Sequence, residues 1–249
     1  MGAVEFIAQS RASKEALRSA NLLKSIGVNA LIVGERGTGK RTLASQIVQA
    51  PVIDANIPFE KLENLLLEQE SLIVTDFEKM RDIERFQRLL EIHPTRIVAT
   101  AQTLLSIDQL FSITIHLPPL RERREDISPL VEVFEEEVRE ALGLEPHQKI
   151  DMKTFHPDLS VNAYSLKKSV YLVMLAKTMT ESELMDLLEI YLNRRIAKEE
   201  GYRELLYLFE APLIKAGFGL YKSQLKLAEK LGLNRNTLRK KINENKEYL

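Results

Sequence analysis

The segment Gly34-Glu35-Arg36-Gly37-Thr38-Gly39-Lys40 constrains this chain more than any other. The apolar run Ala30–Val33 leads into it and reads as a strand, and Thr42–Gln49 follows as a helix. A glycine-rich turn in that setting lets backbone N–H groups close around phosphate oxygens. The helix N-terminus adds a positive dipole, and Lys40 supplies a mobile cation. Gly34, Glu35, Arg36, Gly37, Thr38, Gly39, Lys40, Arg41 and Thr42 are therefore the candidate nucleotide-binding residues. The hydroxyl residue that usually follows the lysine and reaches Mg²⁺ is replaced by Arg41, with Thr42 one position later. Hydrolysis needs more than a cradle: an acid for Mg²⁺, a polar residue to position water, and an arginine on the γ-phosphate. The third predicted strand ends Val74-Thr75-Asp76-Phe77, with a single carboxylate. Asp76 is a candidate Mg²⁺ contact, and a strand-end cap is an equal reading of it.

Around the loop, apolar runs alternate with helical patterns. Strands are expected at Ala30–Val33, Val52–Asp54, Leu72–Thr75, Arg96–Ala99 and Ile113–His116. Between them, residues 11–26, Phe59–Gln69 and Arg81–Leu90 carry helical spacing. This rhythm predicts an α/β fold with a mostly parallel sheet and helices on both faces. Pro118-Pro119 stops it. Helices follow at Ile127–Leu142, Leu166–Ala176 and Glu181–Ala197, then a compact helical module over 202–249 that includes a helix from Tyr202 to Lys215. A hinge is expected near Lys198–Gly201.

Composition excludes several classes. With 45% apolar and 29% charged residues in 249, the chain has a globular rather than a disordered balance. It has no cysteine, which removes disulfides, thiolate metal sites and a cysteine nucleophile. The longest helical apolar stretch, Tyr171–Ala176, falls far short of the ~20 residues of a membrane helix, and no signal peptide is legible, so a cytoplasmic location is expected. His93, His116, His147 and His156 have no ligand spacing, and Glu132, Glu135, Glu136 and Glu137 form a solvated helix face, so no other metal site is expected.

The net charge of −1 hides an asymmetry: residues 222–249 hold eight Lys/Arg against three Glu, +5, which leaves −6 for the rest. A basic end on an acidic chain suits a polyanion, or is a solvated helix surface. The sequence pattern favours the first. Leu225, Ala228 and Leu231 share one helical face, Gly232 permits a tight turn, Asn234 can cap the next helix, and Leu238 and Ile242 face inward. Arg235, Asn236, Arg239 and Lys240 are left outward, as on a recognition helix in a major groove. Arginine suits guanine; lysine and Thr237 suit phosphates. The candidate DNA-binding residues are Asn234, Arg235, Asn236, Thr237, Arg239, Lys240 and Lys241.

Two stretches carry family resemblances. Gly34–Lys40 is similar to the phosphate loop of NtrC-like AAA+ activators of sigma-54 polymerase, and Leu117-Pro118-Pro119-Leu120-Arg121-Glu122-Arg123-Arg124-Glu125-Asp126-Ile127 matches a string of that family almost letter for letter. The resemblance spans roughly residues 3–178. Residues 202–249, above all Leu233-Asn234-Arg235-Asn236-Thr237-Leu238-Arg239-Lys240-Lys241-Ile242, resemble a Fis-type helix-turn-helix. Together they imply an AAA+ P-loop parallel sheet at 1–117, a helical lid at 118–178, a connecting helix at 179–200 and an all-α DNA-binding module at 201–249. They also imply ATP or ADP with Mg²⁺ as cofactor and double-stranded DNA as partner. A homodimer or higher homo-oligomer is implied too, paired through Leu205, Leu206, Phe209 and Leu213.

The departures from the family narrow the expectation. The sigma-contacting loop has no counterpart within Arg41–Ser71, Thr75-Asp76 replaces the family's Asp-Glu, and Gln102 stands at the sensor Asn. Gln109–Thr114 contains no arginine finger, and Tyr164 stands at the second sensor arginine. The implied reading is a degenerate AAA+ regulator that binds DNA, with no catalytic residues and with nucleotide binding retained at most. Two alternatives stand beside it: a weakly active ATPase, and a non-catalytic subunit that associates with true AAA+ activators.

Overall fold

The computed structural model describes residues 5–104, 110–144, 149–198 and 201–249. His147 and Gln109 lie outside them, as do two residues of the expected hinge. The chain divides into two compact units, Met1–Thr178 and Met179–Leu249.

The first unit is built on five parallel strands: β1 (Ala30–Val33), β2 (Val52–Asp54), β3 (Ser71–Thr75), β4 (Arg96–Ala101) and β5 (Ile113–His116), in the order β2-β3-β4-β1-β5. β1 is an interior strand, with Ile32 beside Thr100 on one side and Ile115 on the other. All four of its residues are buried, which is why it reads as an unbroken apolar run. Because side chains alternate along a strand, each face receives its own core. Leu31, Leu72 and Val74 meet Leu62 and Leu66 of α3 (Phe59–Glu68) and Phe86 of α4 (Ile83–Ile92). Ala30, Ile32 and Ile73 meet Ala16, Ala20 and Leu23 of α1 (Arg11–Ser25) and Leu43 and Ile47 of α2 (Lys40–Ile47). Phe77 packs edge-on against Phe86 and Phe111, with centroids 5.5 and 5.1 Å away. Burial of each such side chain stabilises the unit by about 1.5–3 kcal/mol.

Residues 118–178 belong to the same unit but carry a third apolar cluster. Val131, Phe134 and Val138 of α5 (Ile127–Leu142) pack on Leu166, Val170 and Met174 of α6 (Ala163–Thr178). Three helix starts differ from expectation. α4 begins at Ile83 rather than Arg81, because Asp82 caps it by accepting from the Arg85 N–H at 2.9 Å. α2 begins at Lys40, directly after the loop, and α6 at Ala163.

The second unit is all helical: α7 (Glu181–Ile196), α8 (Tyr202–Leu205), α9 (Tyr207–Tyr221), α10 (Gln224–Lys230) and α11 (Arg235–Glu244). The single helix expected over Tyr202–Lys215 is two, α8 and a longer α9 that continues through Pro212. Ile214, Leu227, Ala228 and Leu238 form its small core. α7 has no buried residue; its start is fixed by a reciprocal cap between Thr180 and Glu183. Among the described residues no helix is long and apolar enough to cross a membrane.

Candidate functional site

In parallel sheets ligands collect beyond the C-terminal strand ends. Here those ends carry the glycine-rich loop after β1, Thr75 at the end of β3 with Asp76 after it, and Gln102 after β4, and these residues, with the loop from Arg36 onward, line a cavity of about 630 Å³. Lys40 folds back over its own loop, its ammonium donating to the carbonyls of Gly34 (2.6 Å) and Glu35 (2.9 Å). Burial pushes the Lys40 pKa below its ordinary value, while Glu78 and Asp76 oppose the shift. Arg36, Gly37, Thr38, Gly39, Arg41 and Thr42 also line the cavity, with Phe6 and Ile7 ahead of α1 and Phe134 and Tyr164 from α5 and α6.

Four residues of the 117–127 string and its surroundings hold the loop in shape. Arg121 makes a two-pronged pair with the Glu35 carboxylate at 2.6 and 2.9 Å. Asn162 has its Nδ2 within bonding distance of Glu35 (3.2 Å) and of the Arg36 carbonyl (2.9 Å), and its Oδ1 accepts from the Leu120 N–H (2.7 Å). Arg123, buried, donates to the Thr38 carbonyl at 2.8 Å and pairs with Asp126 at 3.2 Å. Asp126 in turn accepts from the backbone N–H groups of Gln9 and Ser10, each at 2.7 Å. The conspicuous string is thus a brace between the loop, the turn before α6 and the start of α1. Its members are recognisable by family likeness, but their roles emerge only from contacts across more than 80 residues of sequence.

Arg121 and then Asn162 hold the Glu35 pKa down at about 2. A depressed carboxylate contributes to the brace above its ordinary titration range and loses that contribution as pH falls through the depressed value. Carbon-detected NMR should place the Glu35 midpoint near 2, and Arg121→Met should return it toward the ordinary value of 4.5.

The stations expected to serve hydrolysis are engaged elsewhere. The Thr75 hydroxyl donates to the Ile53 carbonyl of the neighbouring strand at 3.0 Å. Asp76, in a left-handed conformation at φ 53°, accepts from Lys79 at 2.6 Å. Tyr164 lies under the guanidinium of Arg36, 5.4 Å from ring centroid to carbon. Gln102 donates its backbone N–H toward Glu78 at 3.4 Å. Lys79 adds a cation that motif reasoning misses; the signal for it is its position three residues after Asp76 on a tight turn.

The second candidate site is α11. The turn from α10 passes through Gly232, at φ 65°, to Asn234, whose Oδ1 accepts from the Thr237 N–H (2.8 Å) and hydroxyl (3.0 Å). Leu238 is buried and Ile242 half-buried, so Arg235, Asn236, Arg239 and Lys240 are exposed on the outer face. Among the described residues Arg235 and Arg239 make no ion pair, and Lys240 reaches only Glu244, at 3.8 Å. Lys241 is different: it is half-buried and paired with Glu210 of α9, which also accepts from Asn245. It fastens α11 to α9.

Residues 6–75 match the family model of the Sigma-54 interaction domain. Solved structures of NtrX from Brucella abortus resemble the chain. The complex with ATP aligns at TM-score 0.60 and 18% identity, covering 97% of this chain and 69% of that one. A further NtrX structure gives 0.61 and 19%, and the ADP complex 0.55 and 19%, each covering 96% of this chain and 69% of the other. The fold is the AAA+-like α/β architecture of NtrX. At such identities the likeness speaks for fold alone. No curated protein matches the sequence.

Proposed function

We propose that this chain is a DNA-binding transcriptional regulator of the AAA+ sigma-54-activator type that binds nucleotide without efficient hydrolysis. The observation that carries the reading is α11: a capped helix on an apolar base, with Arg235, Asn236, Arg239 and Lys240 facing solvent. Such a face suits base edges and phosphates of duplex DNA. The braced loop and its cavity support nucleotide binding, and NtrX structures hold ATP and ADP at a fold of this kind. Against turnover stand Thr75, spent on a strand carbonyl, and Tyr164, where the family resemblance puts an arginine. Losing a γ-phosphate arginine alone costs ~10³–10⁵ in rate. Between α2 and β3 there is room only for β2 and α3, without a sigma-contacting excursion. Phe209 and Leu213, 67% and 38% exposed, offer a pairing face for a homodimer on an inverted repeat.

Fluorescence anisotropy against genomic fragments tests this. Affinity should fall steeply with salt. Arg239→Ala should cost ~1–3 kcal/mol and relax sequence preference, whereas Lys240→Ala should weaken all sequences alike and flatten the salt slope by about one. Footprints should show an inverted repeat. Absence of binding to every fragment at low salt would end the reading.

A further inference from the structure

A phosphate loop usually holds Mg²⁺ from two places: the hydroxyl directly after the lysine and an acid at the end of a neighbouring strand. Both places here carry a cation. Arg41 occupies the first, exposed at the start of α2 and lining the cavity. At the second, Lys79 is fastened to Asp76 twice, its backbone N–H on the Asp76 carbonyl at 2.9 Å and its ammonium on Oδ2 at 2.6 Å. Thr75, the residue before, has its hydroxyl proton on the Ile53 carbonyl and brings no second carboxylate. A divalent ion at Asp76 would sit beside an ammonium at ion-pair range, where like charges repel, or would have to displace it. The residues therefore do not fit Mg²⁺.

They do fit a ligand that brings negative charge and no metal. Lys40, Arg41 and Lys79 line the same cavity, and an ammonium has three donors, enough to serve Asp76 and a phosphate oxygen together. We propose that this cavity takes a nucleoside polyphosphate free of divalent metal, with Lys79, positioned by Asp76, in the place of the ion. The proposal rests on the nucleotide reading above and names the form in which the nucleotide binds.

Calorimetry of the full chain with ADP, in excess MgCl₂ and in EDTA, tests it. Binding should be tightest in EDTA and several-fold weaker in excess MgCl₂, which draws the free nucleotide into its metal complex; equal or tighter binding in MgCl₂ overturns the proposal. Lys79→Met should weaken binding in EDTA by about tenfold, and Mg²⁺ should then recover part of the loss, because Asp76 is released. Lys79→Arg should stay near the unmodified chain. Since Lys79 is half exposed, the methionine variant should keep its circular dichroism spectrum and melting midpoint. Binding that collapses in EDTA, or a methionine variant indistinguishable from the parent in EDTA, overturns the proposal while leaving nucleotide binding intact. ADP binding in neither buffer removes the nucleotide reading itself, and this proposal with it.

Discussion

Asp126→Ala should cost the first unit about 3–5 kcal/mol, the loss expected when one partner of a buried ion pair is removed. Asp126 is fully buried and Arg123 is 2% exposed, so water cannot take over for the missing partner. The alanine would leave the Arg123 guanidinium buried with only neutral partners, the Thr38 and Pro118 carbonyls and the Ser13 hydroxyl, and would take an acceptor from the backbone N–H groups of Gln9 and Ser10 and from the hydroxyls of Ser10 and Ser13. Burial already lowers the Arg123 pKa, with Asp126 opposing the shift, so the guanidinium depends on that carboxylate. A whole domain is stable by only about 5–15 kcal/mol, so the variant should be close to unfolding at ambient temperature. Urea denaturation followed by circular dichroism measures the loss. Exposed neighbours in the same string, Glu122 and Arg124, should tolerate alanine within about 0.5 kcal/mol. The pair Arg123→Met with Asp126→Leu should cost less than the two single changes added together, because neither charge is then orphaned. An Asp126→Ala protein within 1 kcal/mol of the parent, a threshold well below the usual ~3 kcal/mol, would mean the brace is not ionic.

Gly37→Ala should be a severely damaging small change in the loop. Gly37 sits at φ 80°, and an added Cβ would fall 2.5 Å from the Val161 carbonyl oxygen and 2.9 Å from the Tyr164 ring. The ring can swing; the carbonyl is backbone and cannot. A side chain in the left-handed region costs roughly 1–2 kcal/mol by itself, and the collision adds to it, so a total near ~3 kcal/mol is expected. The strain can be relieved by separating the loop from Ala163, whose N–H donates to the Gly37 carbonyl at 3.0 Å. That separation opens the cradle, so ADP affinity should drop by about a hundredfold as well. Calorimetry and urea midpoints read the two effects. Unchanged values in both would mean that the loop and the start of α6 are not packed against each other at this point.

The residues differ in how much their neighbours in sequence reveal. β1 begins and ends where its apolar run does, because a strand buried along its whole length leaves no alternation to blur the boundary. The helix starts are less legible. α6 opens at Ala163, ahead of the first periodic apolar residue Leu166, because the turn through Asn162, at φ 54°, sets the helix in motion before the core begins. On α11 the inward Leu238 and outward Arg239 follow from spacing alone, while Lys241 turns toward Glu210, an acid 31 residues away whose proximity only the folded helices create. The loop motif announces a cradle by its own glycines. What the cradle lacks, and what Lys79 supplies, depends on where Thr75 and Asp76 point once β3 lies between β2 and β4.

The sheet closes on short margins. Its outer strands, β2 and β5, have three and four residues, so a stray chain docking on either margin would gain only a few ladder bonds. The long, continuous strands β3 and β4 are shielded in the interior of the sheet. The first unit should therefore resist edge-to-edge polymerisation even at high concentration.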